Sequence, residues 1–283
     1  MRLSEATVGI HGLGLMGGSL GRALGGKCKR RIGIVRRPET AELALQIGAV
    51  DAATLDLQAG VRAADIVVLA TPARRIVMDV EEAGRHMRPG SLLMDLGSTK
   101  GAVVAAMDRL PGHVSAVGGH PMCGKEVGGL EHAEAALFHD KVFVLTATAR
   151  TDEAALTLSH ELVEAVRARP VMMEPGQHDR AVAYVSHLPY LLAAALVRTE
   201  KEAAGCDPTL DRLAASGFRD TSRLAASEMP MMRDILLTNR HAIEEALASF
   251  ERQLATVRRL LDDEAALEGW MLDAQRERRA MFV

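Results

Sequence analysis

Aromatic side chains are the scarcest large residues in this sequence: one Trp, two Tyr and five Phe, 3% of 283 residues. Any core must therefore be filled mainly by Ala, Leu, Val and Met. Cysteine is nearly absent as well. Cys28, Cys123 and Cys206 stand far apart and in no CxxC pair, which argues against a disulfide framework or a zinc site and favours a reducing compartment. Neither sign of charge dominates, the net charge being −3, so composition offers no basic face for nucleic acid. The longest apolar run of the second half, residues 188–197, falls short of the roughly 20 residues a bilayer helix needs. Residues 1–7 carry no charged-then-apolar leader. These absences predict a cytoplasmic protein with neither a membrane nor a nucleic-acid partner. His120 and Cys123 lack further ligands at suitable spacing, so no metal is expected.

What is present is ordinary for a globular chain, with 48% hydrophobic and 25% charged residues. At roughly 100–200 residues per domain, the length suggests two domains. Short apolar runs at 7–11, 31–35, 65–70, 91–96, 115–118 and 142–146 alternate with helical patterns, which predicts an α/β Rossmann domain with a doubly wound, mainly parallel sheet over residues 1–150. Thr151 and Asp152 look like a helix N-cap region. From there, residues 151–283 read as an all-α domain. Ile243, Leu247, Phe250, Leu254, Val257 and Leu261 form one apolar stripe at helical spacing, either core-facing or the seam of a helix-on-helix dimer.

Gly12, Gly14 and Gly17 form G-x-G-x-x-G between the first strand and a helix that opens with Leu15 and Met16. The first glycine permits the tight turn, the second lets the backbone approach a pyrophosphate, and the third lets helix pack on strand. The helix N-terminus then offers N–H groups to the phosphates. NAD-binding folds usually place an acid at the end of the second strand, bonded to the ribose 2′-hydroxyl. Val35 stands there instead, followed by Arg36 and Arg37. Arginines pair with a 2′-phosphate that a carboxylate would repel, so NADP is the expected cofactor. Thr71, at the end of the 65–70 strand, is a further expected cofactor contact.

Three later segments, DLGSTKG (95–101), GGHPM (118–122) and SHLP (186–189), are joined by SGFRDTSR (216–223). In this order, and with the glycine loop, the sequence resembles the prephenate/arogenate dehydrogenase family from about residue 6 to about residue 260. The resemblance implies oxidative decarboxylation of prephenate or arogenate with hydride transfer to NADP, on the route to tyrosine, by a homodimer joined through its helical domain. By the same resemblance His120 is the catalytic histidine. Ser98 orients it and lies near the nicotinamide. Ser186 and His187 line the substrate pocket. Arg223 grips the substrate's side-chain carboxylate, as its planar fork allows. Gly217 and Asp220 shape the pocket, and Asp220 can meet an amino group in arogenate. His178 matches another family position, but on an ideal helix it lies half a turn from His187 and ranks lower.

The residues themselves support parts of this reading. A neutral imidazole can accept a hydrogen bond from a hydroxyl. Pro189 cannot donate to the carbonyl four residues back, so the helix near Val185 is loosened. Two departures stand out. Lys125 occupies the place of a family Thr and can touch a substrate carboxylate or pair with Glu126, and Met232 replaces a Trp found in some relatives. With the sequence ending soon after the apolar stripe, neither an appended regulatory domain nor a fused mutase is expected. Two rivals are a beta-hydroxyacid-type dehydrogenase and a non-catalytic NADP-binding protein. The first carries a GxGxxxK lysine motif, for which this sequence has SHLP; Ser98, His120 and Arg223 speak against the second.

Overall fold

A computed structural model describes residues 1–281 apart from Glu126 and residues 206–208. In the first domain β1 (Thr7–His11) leads through α1 (Leu15–Ala23) to β2 (Arg30–Ile34), α2 (Pro38–Gln46), β3 (Ala52–Thr54) and α3 (Leu57–Ala63). Then follow β4 (Ile66–Leu69), α4 (Ala73–Gly84), β5 (Leu92–Asp95), α5 (Gly101–Met107) and β6 (Ser115–Pro121). The antiparallel partner β7 (Val142–Ala147), α6 (Glu153–Ala165) and β8 (Arg169–Met172) complete it. The strand order is β3-β2-β1-β4-β5-β6-β7-β8. All neighbouring pairs are parallel except β6 with β7. β1, β4 and β5 are buried along their whole length, as strands covered by helices on both faces must be. One apolar cluster gathers Val8, Ile10, Leu20 and Met94, and another Val67, Leu69, Ile76 and Leu93.

The first domain is longer than its sequence suggests. Asp152 caps α6 by accepting from the Ala155 N–H at 2.7 Å, as its position before a helical pattern predicts. Yet α6 packs on the sheet, and β8 extends it beside β7. The change of domain therefore falls near Met173 rather than Arg150. β8 escapes sequence reading because it is an exposed edge strand with Pro170 in it. β3 escapes because it is only Ala-Ala-Thr.

The second domain comprises α7 (Pro175–Val182), a π turn (Ala183–His187), α8 (Leu188–Ala204), α9 (Thr209–Leu213), α10 (Ser216–Ser222), α11 (Met229–Thr238), α12 (Arg240–Leu260) and α13 (Glu264–Met281). The run from Pro175 to Ala204 is one continuous helical rod, long and apolar enough by length and composition to cross a membrane. This differs from the short apolar run read in the sequence. Its buried polar residues His178, Asp179 and His187 bond to the rest of the fold, so we read the rod as part of the globular body. The core of this domain is small, built on Ala183, Leu188, Ala242, Ile243 and Ala246. The stripe on α12 is buried at Ile243 and exposed at Leu254 and Leu261. α13, within the stretch expected to be helical, buries none of its residues.

Candidate active site at the domain junction

The glycine loop follows β1 at the C-terminal edge of the sheet. Gly12 has φ +95°, and a Cβ there would lie 2.9 Å from the Ala70 carbonyl and the Thr71 methyl. A Cβ on Gly17 would lie 2.0 Å from the Gly12 carbonyl oxygen. Gly14 differs: nothing lies within 4 Å of its would-be Cβ, so the backbone is bare on the side from which a phosphate can approach. A cavity of about 390 Å³ opens beside it, lined by Leu13, Gly14, Arg37, Glu39, Thr40, Leu43 and residues 129–131. The donor set and the open cradle fit a dinucleotide. Val35 is buried at the end of β2, while Arg36 and Arg37 are exposed. Neither guanidinium forms an ion pair or hydrogen bond among the described residues.

Thr71 touches the loop, but its hydroxyl donates to Asp79 Oδ2 at 2.6 Å. It therefore offers a cofactor its methyl and lone pairs, not a free O–H. Asp79 is fully buried and also receives Arg75 Nε at 2.6 Å and lies 3.3 Å from His11 Nε2. Burial opposes its ionisation, but the His11, Thr71 and Arg75 contacts outweigh burial and hold the carboxyl below its ordinary range. His11, given no role from the sequence, thus belongs to a buried polar cluster beneath the loop.

Further along the same edge, DLGSTKG folds around a buried ion pair. Asp95 accepts from the Gly97 N–H at 2.7 Å and the Gly119 N–H at 2.9 Å. Lys100 Nζ donates to the Asp95 carboxylate and, at 2.6 Å, to the Gly119 carbonyl. Burial pulls the Lys100 pKa down against the attraction of Asp95. The pair pins the end of β5 to β6 immediately before His120. β6 itself runs three residues past the predicted strand, so His120 stands in the strand.

His120 Nδ1 meets His178 Nε2 at 2.8 Å, and His178 Nδ1 meets Asp179 Oδ1 at 2.8 Å. Asp179 also accepts the Lys100 N–H at 2.7 Å and the Gly101 N–H at 2.8 Å, at the start of α5. Burial opposes the ionisation of Asp179, but these bonds hold its pKa low. Its carbonyl receives Asn239 Nδ2 at 2.7 Å, and the same nitrogen lies 3.2 Å from His187 Nδ1. Burial, then His178, Lys100 and His187, drive the His120 pKa well below the usual imidazole value. Burial also lowers His187, to about 4, against the pull of Asp179. Both rings are neutral at pH 7.

Several expectations change here. His178 is no minor residue, since it touches His120 directly. The π turn between His178 and His187 holds one extra residue, which rotates everything after it by roughly 100°, so the half-turn separation expected on an ideal helix does not hold. Pro189, whose missing N–H loosens the carbonyl of Val185, sits just beyond that turn. Ser98 is half-buried and makes no hydrogen bond to His120; the ring is held by His178 instead. Lys125 pairs with Glu134 at 3.1 Å and with the His132 carbonyl at 3.1 Å, while Glu126 lies outside the described residues. Ser186 is exposed beside buried His187. Gly217 and Asp220 lie on exposed α10, Asp220 being 3.7 Å from Arg219 Nε. Arg223 opens the short 3-10 turn Arg223–Ala226 that packs on α8. No hydrogen bond joins Gly217 or Asp220 to the histidine cluster. Asp95, Lys100, Asp179 and Asn239 were not singled out from the sequence; only the adjacency His178-Asp179 hinted at a paired imidazole and carboxylate. Cys28 and Cys123 carry free thiols, and burial raises Cys123 to about 11, so it is inert. Cys206 lies outside the described residues.

Comparison with known proteins agrees with this architecture. The family model described as prephenate dehydrogenase, nucleotide-binding domain, matches residues 20–172, and that for the prephenate dehydrogenase dimerization domain matches residues 174–271. The chain is 35% identical over 270 residues to the prephenate dehydrogenase of Bacillus subtilis (strain 168), covering 94% of this chain and 73% of that protein. It superposes with a TM-score of 0.92 and 30% identity on prephenate dehydrogenase from A. aeolicus in complex with hydroxyphenyl propionate and NAD+, covering 99% and 100% of the two chains. Synechocystis arogenate dehydrogenase gives a TM-score of 0.85 at 30% identity over 98% and 100%. A glycine loop open at Gly14, a neutral histidine at the same sheet edge and two matched domain models place this nicotinamide-dependent oxidoreductase in the prephenate dehydrogenase family.

Proposed function

We propose that the protein oxidatively decarboxylates prephenate or arogenate, with NADP as hydride acceptor, at the junction of its two domains. The observation that carries this reading is His120: neutral, held at Nδ1 by His178, and with no hydrogen bond to Nε2 among the described residues. The bound nicotinamide supplies the hydride acceptor. His120 Nε2 accepts a hydrogen bond from the ring hydroxyl, stabilising the positive charge that builds on the carbinol carbon as hydride departs. The ring carboxylate leaves as carbon dioxide, and the electron pair of its C–C bond completes the aromatic ring. Arg223, Ser186, His187 and Lys125 are proposed to receive the acid groups, with Gly217 and Asp220 at the rim.

The NADP preference rests on Val35 in place of an acid, on unpaired Arg36 and on Arg37 in the cavity wall. Glu39 and Glu131 line the same cavity and oppose a phosphate, so Arg37 has to prevail over them. A homodimer through the helical domain is supported by the small core of that domain and by the exposed Leu254, Leu261, Met271 and Leu272. The scattered cysteines favour a cytoplasmic location. The test is an assay of prephenate and arogenate, each with NADP and NAD, following reduced nicotinamide. Turnover with one acid and NADP supports the reading; no turnover with any pair, despite NADP binding, reopens the binding-protein and hydroxyacid alternatives.

A further inference from the structure

The two histidines that face the junction are wired in opposite senses. We propose that Asp179 sets opposite tautomers in them: its carboxylate, through His178, leaves His120 with a bare Nε2, and its backbone carbonyl, through Asn239, leaves His187 with an N–H at Nε2. His178, Asp179 and Asn239 are then positioning residues.

The assignment follows from which atoms can donate. The Asp179 carboxylate already accepts the Lys100 and Gly101 N–H groups, and an ionised carboxylate only accepts. His178 Nδ1, at 2.8 Å, must be the donor. A neutral ring has one N–H, so His178 Nε2 is bare and accepts from His120 Nδ1 at 2.8 Å. His120 then has no hydrogen on Nε2. On the other branch, the Asp179 carbonyl fixes the orientation of Asn239 by accepting from Nδ2 at 2.7 Å. The second hydrogen on that nitrogen points to His187 Nδ1 at 3.2 Å, which must be the bare nitrogen. The proton of His187 therefore sits on Nε2. Among the described residues neither Nε2 has a hydrogen-bond partner, and neither is a sealed, unpaired polar atom.

The site thus presents an acceptor from the sheet domain and a donor from the helical domain. This pairing suits a ligand with a hydroxyl toward His120 and an oxygen acceptor, such as a carboxylate, toward His187. The functional meaning rests on the reaction proposed above; the tautomers themselves do not. One residue governs both because α7 carries Asp179 between α5 and the start of α12, where the side chain and the carbonyl reach in different directions.

The experiment is a long-range proton–nitrogen NMR correlation of the full-length, ¹⁵N-histidine-labelled protein without substrate at about pH 7.5, a little above ordinary histidine titration. The expected pattern is a pyridine-type Nε2 in His120 and a pyridine-type Nδ1 in His187. The reverse pattern in either ring overturns the proposal, as it would if a doubly protonated His178 donated to His120. Two variants extend the test. His178→Phe keeps a ring but removes the acceptor; His120 should lose its single tautomer and kcat should fall about tenfold or more, with little change in KM. Asn239→Asp replaces the donor by an acceptor; His187 should flip to Nδ1–H, and the substrate KM should rise about tenfold. Variants that lower only the melting temperature, with tautomers and rate unchanged, also overturn the proposal. Should a variant fail to fold, the unsubstituted protein decides. The correct tautomers in a protein that turns over neither acid would sink the proposed reaction and leave the wiring intact.

Discussion

Lowering the pH should destabilise this protein well before its carboxylates titrate, and His187 should account for a measurable share. An unfolded histidine titrates at 6.5, whereas His187 in the fold titrates at about 4. Between these values the unfolded chain holds a proton that the folded chain refuses. Stability from this residue is therefore complete above the unfolded value and falls as pH drops towards the folded one. The full difference of about 2.5 pK units corresponds to about 3 kcal/mol, of which about 2 kcal/mol is already lost at about pH 5. His120, lowered in the same direction, adds to the loss. Asp79 and Asp179 do not enter this window: their lowered pKa values give stability that is lost only as pH falls below about 4. The assay is urea unfolding at pH 7.5 and pH 5 for the unsubstituted protein and His187→Gln. Gln can still accept from Asn239, so the folded site survives. The loss between the two pH values should shrink by about 2 kcal/mol in the variant. An equal loss in both proteins would mean that His187 is not held neutral by burial, and the electrostatics described for the junction would be wrong.

The glycine loop and the helical domain offer further tests. Gly17→Ala should force the loop away from the Gly12 carbonyl, costing about 1–3 kcal/mol of stability and weakening dinucleotide binding, read by melting and fluorescence titration. Gly14→Ala has open space and should leave the ligand-free melting temperature near its original value while still weakening cofactor binding. Arg37→Ala should raise the NADP KM about tenfold or more with little effect on NAD, and Arg36→Ala should act in the same direction; unchanged NADP KM values would remove the basis for the cofactor preference. Sedimentation should give twice the subunit mass, and Leu254→Glu should shift it towards one.

Much of this architecture was legible because its signals are local. Six strands read as apolar runs, the glycine loop reads as spacing, and Asp152 reads as a cap. β3 and β8 were missed because edge strands bury too little to demand an apolar run. The domain boundary is hard to read for the same reason: α6 looks like any helix until β8 shows which body it serves. His178 reads as a lesser residue because a phase of 3.6 residues per turn does not hold through a π turn. Lys100 and Asp95 sit in a motif readable as a string, but their burial against Gly119 is a property of how β5 meets β6. Asn239 carries no sequence signal; its role arises where the start of α12 reaches α7. Periodicity thus located elements, while the polar wiring depended on distances between elements that periodicity does not encode.

The role of His120 is tested most sharply by the rate of cofactor reduction by His120→Asn with both substrates saturating. The expected kcat is lower by about 10²–10⁴-fold, the range for loss of a positioned acid–base group, with the dissociation constant for the nicotinamide cofactor unchanged because the glycine loop is untouched. A variant that binds the cofactor normally and reduces it at the original rate would contradict the assignment of His120 as the group that accepts the substrate's hydroxyl hydrogen bond.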